Sequence, residues 1–153
     1  MIRIIAVLVS IFSAIVMVFQ VGVCFGCDWL EHCEPYRESV EAMLESEGVS
    51  KDYYYLMVSE SRCTERAKSK AGALGFWQLM PSTARRFGCT DPHDLRCATI
   101  AAARYIKHLE NTFKSFDLVI MAYNMGGHNL VKNGPTNEAK GLLWSVKRGL
   151  KCR

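Results

Sequence analysis

In this 153-residue chain, Glu60 stands where its surroundings would change its acidity. It closes the run "KDYYYLMVSE", whose Tyr53, Leu56, Met57 and Glu60 share one side at helical spacing. A helix C-terminus carries partial negative charge, and apolar neighbours such as Met57, Phe76 or Trp77 withhold water. Both effects raise a carboxyl pKa towards the range of a proton donor at neutral pH. A protonated glutamic acid beside a sugar-sized cleft is the usual general acid for breaking a glycosidic bond. Position alone does not assign that role, since a glutamate at a helix end is most often a surface charge.

The following stretch, "SRCTERAKSKAGALGFWQLMPSTA", is too irregular for one helix. It carries the hydroxyl of Ser69, the amide of Gln78, and Gly72 and Gly75, which allow close backbone approach. Farther along, "AYNMG" adds Tyr123 and Asn124. Each has a plainer reading: Ser69 as a loop cap, Gln78 as a surface amide, Tyr123 as core, Asn124 as a helix-end residue.

The elements that must position these groups read as helices. "PYRESVEAMLESEG" has Tyr36, Val40, Met43 and Leu44 on one face, Pro35 near its start and Gly48 at its end. Ser50 is the N-cap expected before the helix that ends near Glu60 or Ser61. Pro81 opens a short helix closed by Gly88. The clearest helix runs from about Asp94 to Phe113, with an alanine-rich middle for close packing. Ser115 caps the apolar "FDLVIMAYNMGG", which Gly126 and Gly127 stop, and "EAKGLLWSVKRGL" forms a last amphipathic helix. No pair of alternating strands appears, although "ALGFWQLM" suits a short extended piece. The expected fold is mainly α.

Arg3 and the apolar run after it read as a secretory signal over residues 1–26, with Gly26 suited to cleavage before Cys27. An uncleaved anchor is the rival, because the run approaches the ~20 residues that cross a bilayer. Either places the rest of the chain outside the cytoplasm. Seven cysteines become six without Cys24, an even number suited to three disulfides in an oxidising compartment. Cys89 and Cys97 bracket a short loop and are the expected pair; spacing leaves the others open. A lipid on Cys27 lacks the usual preceding motif, and a metal reading of "CFGCDWLEHC" would need Cys24 inside the apolar run. Residues 27–153 suit one compact domain. The net charge of +4 is mild, and basic patches interleaved with aromatics are absent, which argues against nucleic acid. No metal or organic cofactor is expected, and a monomer is the default.

Taken in order, "ES" at Glu60–Ser61, Ser69 with "GALGFWQLMPSTA", and "AYNMG" resemble the three motifs of the soluble, goose-lysozyme-like lytic transglycosylases. The likeness covers roughly residues 35 to 135. It implies a small lysozyme-like helical domain with a glycan-binding cleft that cleaves the MurNAc–GlcNAc bond of peptidoglycan. By the same resemblance Glu60 is the single catalytic acid, and Ser69 lies near it and the substrate N-acetyl group. Gln78 hydrogen-bonds sugar, Tyr123 contacts substrate or orients Glu60, and Asn124 shapes the cleft. The small size is similar to specialised members serving secretion, conjugation or pilus machinery.

The chain departs from that pattern in three places. Cys63 sits in the loop after the acid, Trp77 replaces a smaller apolar residue and serves either sugar stacking or core volume, and the asparagine often found at the start of the long helix is not evident in "LRCATI". Two other readings compete. One is a hydrolytic lysozyme using Glu65 or Asp91 as a second carboxylate. The other is a non-catalytic peptidoglycan-binding scaffold, which would have no need of Glu60.

Overall fold

The computed structural model describes residues 27–152, so the expected signal or anchor over residues 1–26 lies outside the described residues. Seven α-helices follow in chain order: α1 (Glu34–Ser46), α2 (Tyr54–Ser61), α3 (Pro81–Arg86), α4 (Leu95–Thr112), α5 (Phe116–Met125), α6 (Gly127–Asn133) and α7 (Asn137–Leu150). Short 3-10 turns, Asp28–Cys33 and Lys51–Tyr53, lead into α1 and α2. Among the described residues the only β contacts are two isolated bridges, Lys68 with Leu74 and Leu74 with Leu79. The mainly helical expectation holds, and the extended piece is this small hairpin.

α2 is the axis of the molecule. All five residues from Tyr54 to Val58 are buried, so this helix is apolar around its whole circumference and needs neighbours on every side. α7 packs along it and also along α5. Gly149 makes that approach possible, because a Cβ there would run into the Tyr55 ring. On the other side, α1 packs on α4, whose small buried residues Ala98, Ala101, Ala102 and Ala103 permit close contact. Ser50 Oγ accepts from the Asp52 amide at 3.2 Å, and the Asp94 carboxylate accepts from the Cys97 amide at 2.6 Å to start α4. Ser115 occupies the N-cap position of α5 without making a side-chain cap bond, so its hydroxyl does not act as the expected cap. The second glycine of the pair, Gly127, opens α6, although the sequence offered only a stop signal there.

Three disulfides fasten this frame: Cys27–Cys152, Cys33–Cys63 and Cys89–Cys97. The expected short-range bridge is present. The other two join segments far apart in sequence, and Cys27–Cys152 ties the beginning of the described chain to its end. No helix among the described residues is long and apolar enough to cross a membrane.

Candidate active site

α2 ends at Glu60 and Ser61 because Arg62 and Cys63 turn into the left-handed region, with φ of 50° and 58°. Residues with a Cβ avoid that region unless surroundings compel it. Here Cys63 is buried and held to Cys33. The chain leaves α2 abruptly, and Glu60 projects from the last turn with its carboxyl half-buried.

The loop that follows is built by short backbone bonds. The Ser69 amide donates to the Ala73 carbonyl at 3.0 Å, and Ser69 Oγ accepts from the Ala73 amide at 3.0 Å. Leu74 and Leu79 exchange two bonds of 3.0 and 3.2 Å across the Gly75–Gln78 turn. Gly75 has φ of +71°, and a Cβ there would collide with the Pro92 carbonyl oxygen. At the turn's end, Gln78 has φ of 47°, and its Nε2 donates to the Gly75 carbonyl at 2.9 Å. A non-glycine residue held in this region costs about 1 kcal/mol or more, and such outliers gather where function requires a fixed direction.

Trp77 nails the turn to the core. It is fully buried, and its indole N–H donates to Thr99 Oγ1 on α4 at 2.9 Å. Its carbonyl accepts from Tyr123 Oη on α5 at 2.9 Å. Trp77 therefore supplies core volume and anchoring, and its ring is not available for sugar stacking. Tyr123 is thus bonded to the loop backbone, which fixes its ring in the floor beneath the acid.

Glu60, Ser69, Gln78, Tyr123 and Asn124 line one cleft of about 340 Å³. All five residues singled out from the sequence therefore meet. Tyr105 joins them, its ring 5.2 Å from that of Tyr123 and 5.3 Å from that of Phe87, forming an aromatic row that leads away from the acid. Glu65 and Asp91 do not line the cleft. Both are exposed in the loops, where the Glu65 backbone carbonyl faces His93 Nδ1 at 2.9 Å and Asp91 accepts from the His93 amide at 3.0 Å.

A second carboxylate of the cleft carries no mark of that role in the sequence. Glu138, in the first turn of α7, belongs to the same cleft. From sequence it is only an acidic residue after the Thr136 N-cap, a place where negative charge suits the helix dipole. Its importance comes from α7 lying against α2. Burial, followed by the like charge of Glu138, pushes the Glu60 carboxyl up from 4.5 to about 7. Burial, with the Glu60 charge adding to it, also raises the Tyr123 phenol well above its ordinary range, so it stays protonated as a donor. The cleft thus holds a carboxylic acid that keeps its proton near neutral pH, beside hydroxyl and amide groups. No cluster of three or more candidate metal ligands occurs among the described residues.

Comparison with known proteins places this geometry in context. Residues 39–142 match the sequence profile of the family described as the transglycosylase SLT domain. The chain is 31% identical over 123 residues to membrane-bound lytic murein transglycosylase D of Escherichia coli strain K12, covering 74% of this chain and 27% of that protein. The counterpart from Escherichia coli O6:H1 matches to the same extent. The chain therefore spans about a quarter of the length of the curated relatives it matches. Its fold superimposes on the X-ray structure of an inactive mutant of lytic transglycosylase Slt from Pseudomonas aeruginosa with a TM-score of 0.70, at 20% identity, over 98% of this chain and 29% of that one.

Proposed function

The chain belongs to the transglycosylase SLT domain family, and from that premise we propose that it is a lytic transglycosylase of peptidoglycan with Glu60 as its one catalytic acid. The observation that carries the proposal is a half-buried carboxyl with a pKa near 7 in a cleft lined by the family's motif residues. The protonated carboxyl gives its proton to the glycosidic oxygen between MurNAc and GlcNAc as the C1–O bond breaks. The resulting carboxylate then removes the proton from the MurNAc O6 hydroxyl. That oxygen bonds to C1, leaving a 1,6-anhydroMurNAc end and a free GlcNAc hydroxyl, with no water consumed. An acid whose pKa lies near the working pH is suited to both steps.

The remaining residues serve positioning. Gln78, held at its unusual backbone angle, offers its amide oxygen to sugar hydroxyls while its NH2 is bonded to Gly75. Ser69 Oγ already accepts one backbone bond, so its proton is available to the substrate N-acetyl group. Tyr123 sets the floor and Asn124 the rim. Glu138 adds to the burial that keeps Glu60 protonated.

One feature favours a second reading. Glu138 shares the cleft with Glu60, so a hydrolytic variant in which it directs a water at C1 has a candidate base that the exposed Glu65 and Asp91 do not supply. Mass spectrometry of digested peptidoglycan separates the two. Anhydro ends that vanish with Glu60→Gln support the transglycosylase, whereas reducing MurNAc ends that vanish with Glu138→Gln support the hydrolase.

Residues 27–153 are read as a single catalytic domain that acts outside the cytoplasm, in the periplasm or at the cell envelope. Support comes from the three disulfides, the apolar run after Arg3 and the murein enzymes it resembles. A role in local wall opening for a secretion, conjugation or pilus apparatus extends this reading. Reduced wall penetration by such an apparatus in cells carrying only Glu60→Gln protein would test it.

A further inference from the structure

Tyr105 lines the cleft and also a second cavity, of about 470 Å³, between α3, α4 and α6. The two spaces join along three elements. On α3, Thr83 lines the cleft and Arg86, one turn later on the same face, lines the cavity. On α4, Tyr105 belongs to both. At the glycine pair, Gly126 lines the cleft and Gly127 the cavity. A Cβ on Gly127 would press on the Phe113 ring at 3.0 Å, so this glycine lets α6 lie close to α4. The row of rings that leaves the acid follows the same course, from Tyr105 to Phe87 and on to His108 in steps of 5.3 and 5.9 Å.

The cavity differs from the cleft in charge. Arg86, His108 and His128 offer N–H donors, and no carboxylate belongs to its lining. Arg86 rests over the Phe87 ring, 5.6 Å from its centroid. Burial raises the Tyr105 phenol and the Arg86 charge opposes that rise, so this charge is felt where the two spaces meet. Leu109, Phe113 and Val131 add apolar surface, and Val131 is 74% exposed. A few polar groups set in apolar walls are the usual make-up of a ligand site.

In a peptide-bearing glycan strand the sugar rings carry no charge. The free carboxylates lie on the peptide stems, beside alanine methyl groups. We propose that the cavity seats the peptide stem of a MurNAc lying in the cleft, with Arg86, His108 and His128 facing its carboxylates and the apolar wall facing its alanines. A guanidinium fork matches a carboxylate with two parallel bonds. Three extended residues span about 10 Å, enough to follow the ring row from Tyr105 to His108. The inference rests on the peptidoglycan reading of the cleft and adds a selection to it: strands that keep their stems are bound in preference to bare ones.

The test is calorimetric titration of the oxidised Glu60→Gln protein, which cannot cleave its ligand. Three GlcNAc–MurNAc tetrasaccharides serve as probes: one with tripeptide stems, one with the stem carboxylates converted to amides, and one without peptide, its lactyl groups capped as methylamides. The acidic stems should tighten binding at least five-fold over the peptide-free probe, and the amidated stems less than two-fold. Adding Arg86→Gln or Val131→Ser, both at exposed positions outside the cleft, should reduce the five-fold preference to below two-fold. Neither should change binding of the peptide-free probe, which also reports that the variants are folded. Equal binding of acidic and peptide-free probes, or a preference that persists in both variants, would overturn this inference and leave the cleft reading intact. Failure of all three probes to bind would overturn the peptidoglycan reading, and this inference with it.

Discussion

Replacing Glu60 by glutamine tests the physical basis of the site separately from catalysis. The carboxyl has a pKa of about 7 in the folded protein against 4.5 for the group in water, with burial as the main cause and the Glu138 charge second. The folded state therefore holds this proton more tightly than the unfolded chain does. Its contribution to stability is complete below pH 4.5 and is lost as the pH rises through 7. At ~1.36 kcal/mol per pH unit the whole effect approaches ~3 kcal/mol, and most of it falls between pH 5 and 8. Allowing for solvent screening of a part-exposed group leaves about 2 kcal/mol. Glutamine has the same shape as the protonated acid but cannot ionise. The variant should gain about 2 kcal/mol over the wild type at pH 8 relative to the same comparison at pH 5. Denaturant unfolding at the two pH values, with the disulfides intact, measures this through the midpoint and slope. The difference between the two proteins cancels the other titrating groups. Parallel pH profiles for variant and wild type would refute the argument, because Glu60 would then be an ordinary ionised carboxylate, unable to deliver a proton at neutral pH.

Three more outcomes follow from the same geometry. Glu138→Gln removes a like charge from beside Glu60, so Glu60 ionises at lower pH; the alkaline limb of kcat/KM should move down, with activity at pH 5 nearly unchanged. Gly75→Ala puts a methyl group onto the Pro92 carbonyl at a positive φ and should cost 3 kcal/mol or more, roughly, whereas Gly72→Ala meets nothing within 4 Å and should cost only about 1 kcal/mol for its φ; thermal unfolding compares the two. Replacing Cys33 and Cys63 together by serine frees a loop spanning 30 residues and should lower stability by about 3–4 kcal/mol in denaturant titrations. The same variant should lower kcat more than it raises KM, since the left-handed path after Glu60 loses its anchor.

Several features of the molecule were legible in the residues alone, because their causes are local. A helix from about Asp94 to Phe113 follows from one apolar stripe and one capping aspartate, and the structure realises it as Leu95–Thr112. Glu60 at a helix end, the glycine-bearing loop and the helix-terminal "AYNMG" are written in neighbouring side chains and backbone preferences. Cys89 and Cys97 pair because a short loop leaves them little else to meet.

Other features belong to tertiary structure. A carboxylate in a first helical turn reads only as a complement to the dipole, and no periodicity tells that α7 turns Glu138 towards an acid 78 residues earlier. The sequence leaves Trp77 free to face sugar or core; Thr99 and Tyr123, from two different helices, decide for the core. The pairings Cys27–Cys152 and Cys33–Cys63 depend on which segments the packed helices bring together. Sequence pattern determined the kinds of elements and the chemistry each could carry, since those are set within a few residues. The acidity of Glu60 was decided only by folding, because desolvation and charge repulsion depend on distances that the chain acquires when its distant parts meet.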